Sequence, residues 1–107
     1  MAYGWIINRD HLSQQNKSII GPSELDGTDE GHDLIERLTN GEGAEFRIYD
    51  DDGYLYYSGR CIVEGEDGVT FSGGSEEWFG PLWDFGEPGA GATEIRYKDE
   101  QGEWKTL

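Results

Sequence analysis

This chain predicts an α+β domain: a mostly antiparallel β-sheet built from hairpins, with one main α-helix packed on one face. Three observations lead there. In EFRIYDDDGYLYYSGRCI, residues 45–62, apolar and polar residues alternate with a period of two on both sides of Asp52-Gly53, a strong short-range hairpin signal. Only one segment, TDEGHDLIERLTNG, has clear helical spacing. No strand-helix-strand unit recurs, so nothing requires a parallel sheet.

The elements follow in chain order. YGWIIN (Tyr3 to Asn8) is short, apolar and rich in β-branched and aromatic residues, and reads as the first strand. The polar stretch from Arg9 to Gly31, with Gly21-Pro22 and Asp26-Gly27 as turn signals, is expected to be a long connection with one short helical turn near Pro22-Ser23-Glu24-Leu25. Thr28 or Asp29 can cap the main helix, acids crowd its first turn, and Asn40-Gly41 ends it. Leu34, Ile35 and Leu38 make its apolar stripe.

A two-residue turn at Asp52-Gly53 would set Ile48 opposite Tyr57 and Tyr49 opposite Tyr56. Phe46, Ile48, Leu55 and Tyr57 would then share one face, which Cys61 and Val63 extend. GVTFSG is expected to add a short strand. GSEEWFGPLWDFGEPGAGA has no clean period, and its Gly and Pro forbid a long regular element. Its Trp78, Phe79, Leu82, Trp83 and Phe85 suit an ordered, pinned loop. TEIRYKDEQGEWKTL forms a second hairpin turning near Gln101-Gly102, with Ile95, Tyr97 and Trp104 packing. At 107 residues the chain is expected to be one compact domain over 1–107.

Charge is the outstanding feature. Eight Lys and Arg against 23 Asp and Glu give −15 with neutral His. Such a surface repels nucleic acid and anionic membranes and attracts basic surfaces. The acidity is concentrated: Glu64, Glu66, Asp67, Glu76, Glu77, Asp84, Glu87 and Glu94 meet no lysine or arginine between Arg60 and Arg96. The single cysteine, Cys61, allows no internal disulfide and fits a reducing compartment. The opening MAYGWIINRD lacks the basic and apolar regions of a signal peptide, and no run nears the roughly 18 apolar residues of a membrane span. A cytoplasmic protein is expected.

Tests for chemistry come out empty. With Gly53 at the sixth position of a calcium loop, Ile48 and Gly59 stand where the first and twelfth ligands belong. DDDG is therefore read as a turn with room for a loosely held divalent ion at most. Acids are too numerous for any glycosidase-like pair to stand out. His11, His32 and Cys61 are too few for a zinc site, and Cys61 lies on the apolar face of its strand, where a buried inert thiol is expected. WDFG lacks every other kinase motif, and GEPGAGAT lacks the lysine of a phosphate loop. The expectation is a non-enzymatic protein with no cofactor and no metal.

By size, acidity, single domain and absence of catalytic motifs, the chain resembles the small inhibitors that phages and plasmids use against host defence, the anti-CRISPR and antirestriction proteins. Many of these mimic nucleic acid. FRIYDDDGYLYYSGR together with PLWDFGEPGAGATEIRY is also similar to small acidic proteins of bacteria and their phages, a resemblance that carries no function with it. The first resemblance and the charge together predict an inhibitor that occupies the basic groove of a nucleic-acid-binding protein or defence nuclease complex, without binding nucleic acid itself. The residues expected to replace phosphates are Asp50, Asp51, Asp52, Glu64, Glu66, Asp67, Glu76 and Glu77, with Trp78 and Trp83 as aromatic anchors. The alternative is a small adaptor, or an oligomer-forming module such as a homodimer subunit, that docks through the aromatic loop 78–85.

Overall fold

The computed structural model describes residues 3–22, 27–63, 71 and 76–107. Six strands form one sheet: β1 (Tyr3–Asp10), β2 (Gln15–Gly21), β3 (Ala44–Tyr49), β4 (Leu55–Val63), β5 (Glu94–Lys98) and β6 (Trp104–Thr106). Their order is β2-β1-β4-β3-β5-β6, and every neighbouring pair is antiparallel. Helix α1 (Asp29–Thr39) precedes β3. A 3-10 turn (Glu76–Phe79), a π-helical turn (Leu82–Gly86) and the short α2 (Glu87–Ala90) precede β5. The architecture is thus α+β with the sheet dominant.

Strand β2 takes residues 15–21 out of the expected polar connection, and β1 runs on to Asp10. QNKSIIG hides well in a sequence because β2 is an edge strand. Only Gly21 is buried, so no apolar alternation marks it. The helical turn expected after Pro22 falls on residues 23–26, outside the described ones, and so does nearly all of GVTFSG. Phe71 is the exception. It stacks on Tyr97 at 4.7 Å between ring centroids.

Both hairpin turns share one construction. In the first, the Asp50 carbonyl accepts from Gly53 N at 3.2 Å, and the Asp50 carboxylate accepts from the backbone N of Asp52 and Tyr54, each at 2.9 Å. In the second, the Asp99 carbonyl accepts from Gly102 N at 3.0 Å and its carboxylate from Gln101 and Glu103 N. Gly53 (φ +85°) and Gly102 (φ +82°) take the left-handed conformation that closes each turn. DDDG is therefore a turn, but over Asp50–Gly53 rather than the two residues Asp52-Gly53.

That difference moves side chains. A bulge between Ile48 and Tyr49 keeps Ile48 opposite Tyr57 but sets Tyr49 opposite Leu55, not Tyr56. Leu55 consequently joins the face of Tyr49 and Arg47, while Tyr56 packs against the core. The expected placement of Leu55 on the core face is corrected by this one extra residue.

The sheet is packed on both faces, unequally. Beneath it lies the main core: Trp5, Ile7, Phe46, Ile48, Cys61, Ile95 and Tyr97, sealed by Trp78 and Leu82 from the segment 76–90. On the opposite face, Leu34 and Leu38 of α1 cover Ile6 and Ile62 of β1 and β4. The same face of β3, β5 and β6 carries half-buried Glu45, Arg47, Tyr49, Glu94, Arg96, Lys98 and Trp104 instead. Gly59 makes the central β1–β4 approach possible, since a Cβ there would stand 1.8 Å from the Ile6 carbonyl oxygen.

Candidate partner-binding surface

The predicted acids occupy two poles of the sheet. At the β3–β4 tip, carboxylate oxygens of Asp50, Asp51 and Asp52 lie within 4.8 Å of one another. Asp51 and Asp52 are exposed, whereas Asp50 is half-buried and already holds two backbone N–H groups. Among the described residues this is the one acidic group close enough to hold a metal, and its position at a self-satisfied turn explains it without one. Glu64, Glu66 and Asp67 lie outside the described residues.

At the other pole, Glu76 is exposed and Glu77 half-buried at the start of the 3-10 turn. They border a depression of about 200 Å³ completed by Tyr3, Gly80 and Trp83. Trp83 is 52% exposed and stacks on Phe79, with ring centroids 4.9 Å apart. The Tyr3 hydroxyl donates to Asp84 Oδ2 at 2.6 Å, and Trp5 Nε1 donates to the same oxygen at 3.1 Å. Carboxylates beside aromatic faces suit a lysine or arginine side chain, whose stem lies on the rings while its charge meets the acids. Tyr3 pairs with Val63 at one end of β4, and the Asp50–Asp52 tip adjoins the other end at Leu55. At ~3.3 Å per residue these poles are about 25 Å apart.

Trp78 does not join this surface. It has no exposed area. Its ring packs edge-on against Phe71 and Tyr97, and its carbonyl accepts the Tyr97 hydroxyl at 2.7 Å. Of the two tryptophans expected as anchors, only Trp83 reaches solvent.

The structure adds a third acidic place. Asp29, Glu30, Asp33 and Glu36 are all exposed on α1. Asp29, Asp33 and Glu36 recur at i, i+4 and i+7, which puts them on one side of the helix about 4.5–6 Å apart along its axis. The sequence carried this spacing, but the first-turn acids are equally explained by the helix dipole, which hides the outward stripe. Thr28 caps α1 by accepting Gly31 N at 2.9 Å.

The cations are arranged differently. All except Arg37, which pairs with Glu42 at 3.5 Å, lie on strands. Arg60 pairs with Glu45 at 3.3 Å, Arg96 with Glu94, and Lys105 with Glu103. Cys61 is fully buried, and burial pushes its thiol up to about 12, so it is no nucleophile near neutral pH. Among the described residues no helix is long and apolar enough to cross a membrane.

Fold and surface together define a small, strongly acidic, sheet-dominated α+β domain. Comparison with protein families, with curated proteins and with solved structures finds no match to this chain.

Proposed function

We propose that this chain is a non-enzymatic binding protein that occupies the basic, nucleic-acid-binding groove of another protein, in the manner of the phage and plasmid inhibitors it resembles. The observation carrying this reading is the separation of charge. Exposed acids crown the hairpin tip, the outer side of α1 and the 3-10 turn, while the cations sit on the strands, several of them already paired. A partner approaching the acidic places meets a nearly unopposed negative field, which speeds encounter and weakens with salt as nucleic acid itself would. The depression at Trp83 would receive one lysine or arginine of that groove.

The test is capture on the immobilised chain from lysate of the native host at about 0.05 M salt, where screening is weak. The captured protein should bind nucleic acid, should be released by added duplex DNA or by about 0.5 M salt, and should bind at least tenfold more weakly to the triple variant Asp29→Lys, Asp33→Lys, Glu36→Lys or to Glu76→Lys, Glu77→Lys. A partner indifferent to DNA, salt and these charge reversals would overturn the proposal. One observation favours a second reading, an adaptor docking through the aromatic loop: the exposed Trp83 on Phe79. Binding abolished by Trp83→Ala and insensitive to salt would select it.

A further inference from the structure

The open part of the sheet carries an unexpected feature for so acidic a chain. Register places Asn16, Arg9, Ser58, Arg47, Arg96 and Thr106 in a single row across all six strands, on one face. Three of these six are arginines, and two of the three, Arg47 and Arg96, are direct cross-strand partners. Like charges so placed destabilise a sheet. Arg96 is relieved by Glu94 and lies over the Tyr49 ring. Arg9 donates to Asn16 Oδ1 at 2.8 Å and to the Gln14 carbonyl.

Arg47 is not relieved. Its guanidinium lies 4.3 Å from the centre of the Trp104 ring, and among the described residues it makes no ion pair and no side-chain hydrogen bond. Stacking holds the flat group by one face and leaves its in-plane N–H edge unspent, the geometry that grips a carboxylate or phosphate through two parallel bonds. In a chain with 23 acids and eight bases, the one carboxylate that borders this place, Glu45, is paired with Arg60 rather than with Arg47.

Beside Arg47 the surface sinks into a depression of about 200 Å³, whose lining includes Asn8, His11, Glu45, Ser58, Arg60 and Trp104. His11 Nε2 and Ser58 Oγ are 2.9 Å apart, so the pair offers a polar wall. Arg60 is spent on the Gly43 carbonyl at 2.8 Å and on Glu45, which leaves Arg47 as the uncompensated charge. His11 is held below its ordinary pKa first by burial and then by Arg9 and Arg47, against a smaller pull from Asp10. The volume is below the roughly 300–1,000 Å³ of drug-sized ligand pockets.

We propose that this depression is a binding site for a small oxyanion, a carboxylate or phosphate group of a compact molecule, gripped by the guanidinium edge of Arg47 with Ser58 and His11 beside it. The site lies on the sheet face opposite the Trp83 depression and does not depend on the proposed function.

The test uses the full chain labelled with ¹⁵N at about 0.15 M ionic strength, where the field of the distant acids is screened beyond ~8 Å. Inorganic phosphate and citrate are titrated separately, with sodium chloride adjusted to hold ionic strength constant. Expected are saturable shifts of the Arg47 side chain, the Ser58 amide and the Trp104 indole, with tenfold or greater loss of affinity in Arg47→Gln. The tighter of the two probes identifies phosphate or carboxylate as the preferred group. Arg47→Glu adds a control for folding: it sets a carboxylate opposite Arg96, so its thermal midpoint without ligand should match or exceed the parent's while binding disappears. Shifts that do not saturate, that chloride reproduces, or that survive Arg47→Gln would overturn the proposal.

Discussion

Cys61 and Tyr97 both lie in the core, and neither has exposed surface. Burial raises the thiol from 9.0 to about 12 and the phenol well above 10.0. Both groups therefore keep their protons in the fold at pH values where the unfolded chain releases them. The unfolded state then binds fewer protons than the native state, and stability falls as pH rises. The loss begins near pH 9, where the unfolded thiol ionises, and steepens above pH 10, where the phenol joins it. Each group contributes about 1.4 kcal/mol per pH unit within its window. Urea unfolding between pH 8 and 11 checks this. In Cys61→Ala the fall between pH 9 and 10 should flatten even though the variant is less stable throughout. A parent curve that is level from pH 8 to 10 would contradict the burial of this pair.

At the scale of elements, the segment 76–90 is held to the sheet by packing, by the Tyr97 hydroxyl on the Trp78 carbonyl and by one carboxylate. Asp84 accepts from Tyr3 and Trp5, both on β1, and so ties the π-helical turn to the strand it covers. Gly80 lets the segment come this near, because a Cβ there would stand 2.3 Å from the Tyr3 ring. Hydrogen bonds to a charged acceptor contribute about 1.5–3 kcal/mol. Asp84→Ala should lower global stability by about that amount and should raise amide exchange first over residues 82–92, where Gly91 N and Ala92 N are bonded to the Glu87 and Gly86 carbonyls. Uniform loss of protection across sheet and segment alike would show instead that they open as one unit.

For the whole molecule, −15 charges are carried on a body with a radius of gyration of 12.7 Å. At 0.01 M salt the screening length is about 30 Å, so every acid repels every other; at 0.1 M it is about 10 Å, less than that radius. Self-repulsion opposes the compact state. The thermal midpoint should therefore climb as sodium chloride rises from 0.01 to 0.3 M, the same range over which binding to a basic partner should weaken. Calorimetry checks the first and the capture experiment the second. A midpoint that does not rise would mean that the acids are already balanced in the fold and that the unopposed field argued for the partner surface is absent.

The amino-acid sequence by itself determined the α+β class with an antiparallel sheet, both hairpins, the boundaries of α1, the inward placement of Phe46, Ile48 and Cys61 and the packing of Ile95 and Tyr97, because alternation, helical spacing and Asp-to-Gly turns are local signals. It also held the acid-rich composition on which the proposed function rests. Four things needed the tertiary structure. Strand β2 is invisible locally because an edge strand buries almost nothing. Leu55 changed faces because a single bulge shifts register by one residue. Trp78 and Trp83, five residues apart in an aperiodic aromatic run, parted into core and surface only once the segment was laid across the sheet. The arginine row is the clearest case: Arg9, Arg47 and Arg96 are scattered in the chain and meet only because antiparallel pairing sets β1, β4, β3 and β5 side by side.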